Sequence, residues 1–291
     1  MLFRRFYSIK WRLQDTCPVP KYDTGCTYCK PNIPADLPIN HDANLHKTAA
    51  IPTRHLFVFS RMPMNEMPSK AELVPHTISN EIIKYKKLYQ TSTQRVAVSN
   101  IHLNNQESIM KSFDTREDDQ LVMLYPDMKM IKFDLLHLEQ FVQRYLYSEE
   151  KEAVYNPFAK TSPKSTKDTG PEISVDPANF EEFRIEKDLI LTCGHTKRDL
   201  RCGILAPMIM DELGRTLKDN IEEYYIGEVS HIGGHAYAGN LLYYPKLCAS
   251  DRDFIWYGRV TPESVQGIVE LTVVNKTIIE DLFRGDIELY R

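Results

Sequence analysis

One break in composition governs how this chain can fold. Residues 148–177 read SEEKEAVYNPFAKTSPKSTKDTGPEISVDP, a polar run with four prolines and few bulky apolar side chains. Such a run buries too little apolar surface to offset the entropy of ordering it. It therefore reads as a linker, and 291 residues are enough for a unit on either side of it. The expected organisation is an N-terminal unit over 16–148, a linker over 149–178 and a C-terminal unit over 179–291.

Both units alternate strand and helix patterns. In the first, His55–Ser60, Arg95–Ser99 and Gln120–Tyr125 are short apolar runs that read as strands. Glu81–Tyr89 and Phe133–Tyr147 carry apolar residues at helical spacing. In the second, Asp188–Thr192, Glu223–Ser230, Leu241–Tyr244 and Phe254–Tyr257 read as strands. Ile204, Leu205, Met208, Ile209, Leu213 and Leu217 mark a helix starting just after Cys202. Thr261 followed by Pro262 caps a last helix. The expected fold class is α/β (α+β), small sheets backed by helices.

Residues 1–15 stand apart. Arg4, Arg5, Lys10 and Arg12 precede the first acid, Asp15, with bulky apolar residues between them. An Arg-rich, acid-free amphipathic start is the pattern of a removable mitochondrial targeting segment. The formal net charge of −4 disfavours a general nucleic-acid binder. No run approaches the ~18 apolar residues that suggest a membrane span.

Six cysteines, at 17, 26, 29, 193, 202 and 248, are too few for a disulfide scaffold at this length. Two segments concentrate metal-binding chemistry: Cys193-Gly-His-Thr-Lys-Arg-Asp-Leu-Arg-Cys202-Gly and His231-Ile-Gly-Gly-His235. Each follows an expected strand, so both loops can meet at one end of a sheet. Two thiolates and two imidazoles complete a four-ligand set for zinc or iron. Eight residues separate the cysteines, wider than the usual spacing in structural zinc sites. A pair of histidines on one iron of a two-iron cluster also raises its potential. Packed or capping residues are the alternative for either pair taken alone. His195, between the two cysteines, reads as a loop-structuring residue, with a place among the ligands as the alternative. Lys197, Arg198 and Arg201 could favour a reduced cluster or an acidic redox partner; alternatively they form a solvated loop with Arg198 paired to Asp199. Asn240 and Arg259 read as braces of the His loop, and Cys248 as an ordinary thiol.

CGHTKRDLRCG, HIGGHAYAGNLLYYP and WYGRVTPESV occur in that order within residues 193–265. With them the chain resembles the sucrase/ferredoxin-like family. The resemblance implies a thioredoxin-like ferredoxin domain at the C-terminus and a [2Fe–2S] cluster on Cys193, Cys202, His231 and His235. The N-terminal half, whose resemblance is looser, is a candidate for the same thioredoxin-like arrangement. No paired-carboxylate signature supports glycoside hydrolysis.

Cys17, Cys26 and Cys29 form a second cluster of possible redox thiols. Cys26-Thr-Tyr-Cys29 has the spacing of a redox dithiol, but the Lys30-Pro31-Asn-Ile-Pro34 that follows is poor helix sequence. A disulfide, a thiol pair exchanging electrons with the cluster, and free thiols compete; a metal site would need His41 or His46 as well. The leading expectation is a mitochondrial iron–sulfur protein of electron transfer or thiol redox quality control, with an unidentified redox protein as partner. Its rivals are a zinc-stabilised interaction module and a CxxC thiol–disulfide oxidoreductase.

Overall fold

The computed structural model describes residues 9–148 and 174–291. Most of the expected targeting segment, up to Ser8, and the expected linker from 149 to 173 lie outside the described residues. In chain order the strands are β1 (Arg12–Gln14), β2 (Arg54–Phe59), β3 (Val96–Leu103), β4 (Asp119–Tyr125), β5 (Lys129–Asp134), β6 (Glu181–Arg184), β7 (Asp188–Cys193), β8 (Tyr224–Val229), β9 (Leu241–Tyr244), β10 (Ile255–Tyr257) and β11 (Thr277–Ile279). The helices are α1 (Ile78–Glu81), α2 (Lys86–Tyr89), α3 (Gln106–Ser112), α4 (Leu138–Phe141), α5 (Leu200–Thr216) and α6 (Pro262–Ile268). None of the described helices is long and apolar enough to cross a membrane.

Nine strands form one mixed sheet in the order β10-β9-β7-β8-β3-β2-β4-β5-β6. It contains the same four-strand pattern twice. In the first half β2 lies between parallel β3 and antiparallel β4, and β4 continues to β5. In the second, β7 lies between parallel β8 and antiparallel β9, and β9 continues to β10. This second set, with α5 and α6 covering one face, is the arrangement that the thioredoxin-like expectation requires. The halves join where β3 pairs antiparallel with β8. Ile101 sits opposite Phe59, Val229 opposite Cys193, and Ile101 pairs with Val229. The repeat is therefore related by a local two-fold axis through that pair.

Three apolar cores follow. Leu205, Ile209 and Leu213 of α5 pack with Val265 and Ile268 of α6 on the second half. Ile78, Ile82, Phe141 and Leu146 do the same for the first. The third core is shared: Phe57, Met123 and Tyr125 meet Tyr244, Phe254 and Trp256. The Tyr125 and Tyr244 ring centroids lie 4.9 Å apart, although their strands are five places apart in the sheet. In a flat sheet that separation would be about 24 Å, so the sheet curls strongly to bring these faces together. A buried polar group locks the closure. His55 Nδ1 lies 2.7 Å from the Tyr244 hydroxyl and Nε2 lies 2.9 Å from Ser99 Oγ, while Trp256 Nε1 donates to the same Tyr244 oxygen at 2.9 Å. Burial pushes the His55 pKa down to about 3, so the ring is neutral and each polar atom has a partner.

The lead-in, grouped with the first unit on sequence grounds, packs on the second half. β1 pairs in parallel with β11, and buried Trp11 donates from Nε1 to Asp253 at 3.2 Å. Residues 9–14, expected within a removable leader, are thus built into the fold. The buried Glu212 of α5 explains the rest. Its carboxylate accepts from the Thr24 and Thr27 hydroxyls of the lead-in and from Gln266 of α6, because a buried carboxylate needs donors wherever the chain can supply them.

Candidate metal centre

Parallel β7 and β8 end side by side, with Cys193 paired to Val229. Cys193 closes β7, and His231 stands two residues beyond β8. Cys202 arrives from the other direction. The α5 helix begins at Leu200, earlier than the sequence pattern indicates, because Asp199 caps it by accepting from the Arg201 N–H at 3.0 Å. Cys202 is therefore inside the first turn, where helix N–H groups and the helix dipole favour a thiolate. Cys193, Cys202 and His231 each bring one ligand atom to within 4.8 Å of the others, a grouping that could hold a metal ion. The Cys193 Sγ to His231 Nδ1 distance is 3.9 Å. Both thiols are buried. The hydrogen bond from Cys202 draws the Cys193 pKa well below the usual thiol value against the opposing effect of burial, with His231 and the His195 N–H assisting. The same hydrogen bond, and then burial, push Cys202 upward. Cys193 is thus the thiol more ready to ionise, and a metal held by the pair would displace the remaining proton to solvent.

His235 stands beside this group. Its ring stacks on that of His231 at 5.5 Å between centroids, and its Nδ1 lies 4.0 Å from an Asp199 oxygen. Its side chain is 54% exposed, which makes it the outer edge of the site.

Neighbouring residues hold these groups in place. His195 accepts from the His231 N–H at 3.2 Å through Nδ1 and faces the Pro68 carbonyl at 2.9 Å through Nε2. Both ring nitrogens are occupied, so it ties the Cys loop to the His loop, as the sequence reading held. Gly203 follows Cys202 because a Cβ there would lie 2.2 Å from Thr196 Oγ1. Asn240 braces the His loop from Nδ2 to the Gly234 carbonyl at 3.4 Å. Arg259 instead anchors the lead-in, donating to the Asn40 and Ala43 carbonyls at 2.7 and 2.6 Å, with its guanidinium over the Tyr237 ring. One expected pair is corrected. Asp199 forms a two-pronged ion pair with Arg201, at 3.0 and 2.9 Å, and not with Arg198. Arg201 is buried and also donates to the Pro38 carbonyl, while Lys197 and Arg198 remain exposed.

Sequence reading missed Arg284 altogether. It lies beneath the His loop, 1% exposed, and donates to the Gly233 carbonyl and the Asn240 side chain. Only the fold brings it there; a single arginine near the C-terminus carries no signal of its own.

A model of the family described as sucrase/ferredoxin-like matches residues 45–285. The chain belongs to the sucrase/ferredoxin-like family. Among its relatives is the "Altered inheritance of mitochondria protein 32" of Meyerozyma guilliermondii, 42% identical over 94% of this chain and 95% of the relative. The proteins of the same name from Debaryomyces hansenii and Clavispora lusitaniae are each 41% identical. They cover 98% and 93% of this chain, and 98% and 94% of the relatives. No solved structure gives a significant match.

In this sucrase/ferredoxin-like chain the N-terminal thiols stand away from the Cys/His group. All six cysteines are free. Cys17 packs on α6, where its Sγ lies 3.5 Å from the Ser264 carbonyl; burial, with Asp281 and Glu263 adding, pushes its pKa up to about 12. Cys26 packs against α5 near Met208; burial, with Cys29 and Asp211 adding, pushes it up to about 12 as well. Protonated, buried thiols are poor nucleophiles. Asp211 is nine residues beyond Cys202, which is about 14 Å along the helix. Cys29 is exposed, and its N–H closes a turn on the Cys26 carbonyl at 2.9 Å. His46, a conceivable fourth ligand there, faces Asp286 at 3.0 Å instead. Cys248 is buried and its thiol points to the Ser250 carbonyl at 3.5 Å.

Proposed function

We propose that this chain is a mitochondrial one-electron carrier holding a [2Fe–2S] cluster on Cys193, Cys202, His231 and His235. The observation that carries the reading is the convergence of two buried thiols and the His231 imidazole at the paired ends of β7 and β8, with a second imidazole at the rim. The donor chemistry fits: thiolates bind iron–sulfur cores, and paired imidazoles suit the second iron. When bound, such a cluster accepts and releases one electron at a time.

The residues of the chain divide the remaining work. Cys193 and Cys202 bury one side of the centre, which excludes water from it. His195 holds the His231 backbone N–H, which fixes the stretch of chain from which the His231 ring projects. His235, 54% exposed, would hold the outer side of the cluster and give it its contact with solvent and a redox partner. Asp199, 4.0 Å from His235 Nδ1, supplies a negative charge beside the ring without a direct hydrogen bond to it. Exposed Lys197 and Arg198 on the same loop favour an acidic redox partner. The names of the relatives, with the basic N-terminus, support a mitochondrial location. A leader removed on arrival there ends before Ile9, given the pairing of β1. The CxxC oxidoreductase reading is less favoured, because Cys26 is buried and protonated.

Iron, sulfide and zinc content per chain, measured with electron paramagnetic resonance of the reduced protein, tests the proposal. Two irons and two sulfides with a one-electron signal are expected. One zinc without iron or sulfide overturns it in favour of a zinc-stabilised module.

A further inference from the structure

We propose that Arg284 is the buried counter-charge of this centre and the residue that positions its His loop. The proposal rests on the cluster reading above. Arg284 is 1% exposed, yet every acceptor it meets is neutral. Nε donates to Thr48 Oγ1 at 3.3 Å and Nη2 to the Thr48 carbonyl at 3.1 Å. Nη1 donates to the Gly233 carbonyl at 3.2 Å and to Asn240 Oδ1 at 2.5 Å. Among the described residues no carboxylate forms an ion pair with it. Among the described residues the other buried guanidinium, Arg201, has Asp199. A buried charge without an opposite charge is strongly disfavoured, so a site built this way expects an anion nearby. Burial lowers the Arg284 pKa, and the groups whose negative charge would oppose this are Tyr237 first and then Cys193 and Cys202; of these, the two thiols are the ones that become anions as cluster ligands.

The redox consequence follows from charge counting. A two-iron, two-sulfide core with both irons ferric, two thiolates and two neutral imidazoles is formally neutral; one added electron makes it −1. A fixed positive charge beside it favours the reduced state. The positioning role follows from shape. Gly234 has φ +74°, and a Cβ on it would lie 2.0 Å from Arg284 Nη2. The guanidinium thus fills the space beneath the residue that precedes His235.

The test uses full-length protein loaded with iron and sulfide and titrated with dithionite. R284M should lower the reduction equilibrium about tenfold, or 59 mV for one electron. R284K, which keeps the charge but not the fork, should stay nearer to wild type in potential. Equal loss of cluster in both variants, with a wild-type potential in what remains, means a merely structural residue and overturns the proposal. If R284M does not fold, N240D decides. It sets a carboxylate against the guanidinium but also loses the Nδ2 bond to the Gly234 carbonyl, so it is compared with N240L, which loses that bond without adding a charge: the cluster-free N240D chain should melt higher than cluster-free N240L. A lower melt overturns the unpaired-charge account. Metal analysis of the wild type separately reports failure of the cluster reading, and the N240D melt remains decisive even then.

Discussion

The two halves of the sheet share a strand order and differ at the strand ends. By register, Phe59 of β2 occupies the station of Cys193 in β7. Two residues past the paired Ile101 and Val229 stand Leu103 and His231. Asn80 is the third residue of α1, as Cys202 is of α5. Where the second half gathers thiols and imidazoles, the first has a cavity of about 370 Å³ lined by Phe59, Met62, Met67, Ile78, Asn100 and Met110 among others. The scaffold supplies a place, at the carboxyl ends of its parallel strands, and a few side chains decide whether that place can bind a metal.

The largest expected effect breaks the asymmetry directly. C193S should lower metal affinity by more than the 10–100-fold typical of losing an outer hydrogen-bond partner, with far-ultraviolet circular dichroism unchanged. Metal retained at wild-type stoichiometry would mean that the first half or the N-terminal thiols bind it.

A second effect probes what the halves share. His55 belongs to the first and its partner Tyr244 to the second. The unfolded chain takes up a proton on this residue below about pH 6.5, whereas the folded ring resists until about pH 3. Stability is therefore fully present above pH 6.5 and is lost as pH falls through that window. The loss is on the order of 3 kcal/mol between pH 7 and 4. Urea titrations of wild type and H55Q should differ by this slope, the variant being flatter. Both halves should unfold in one transition; two separate ones would refute a common core.

The smallest effect contrasts two glycines of α5. G203A should destabilise by about 1–3 kcal/mol through its contact with Thr196. G214A meets nothing within 4 Å and should gain up to about 1 kcal/mol of helix propensity. Thermal melts that respond equally to both would remove the close packing claimed for the Cys loop.

Much of this was legible in the sequence. β7, β8 and α5 declare themselves by apolar runs and helical spacing. Other features depend on distant partners. β5 goes unread because KMIKFD alternates only weakly: Lys129–Lys132 fall in no expected element, and Phe133 and Asp134 fall at the start of the expected helix. β6, Glu-Glu-Phe-Arg, is a short edge strand, and its charges give no apolar signature. β1 and β11 acquire their identity only by pairing across the length of the chain. Arg284 and Glu212 are ordinary surface residue types that the fold happens to bury.

The antiparallel seam between β3 and β8 also sets a timetable for folding. As the chain emerges, β3 must wait some 120 residues for its neighbour, with Phe57, Met123 and Tyr125 uncovered meanwhile. An open strand edge beside an apolar face invites aggregation. Synthesised alone, the first half would leave this edge and face uncovered, and the second half covers its predecessor's core as well as its own.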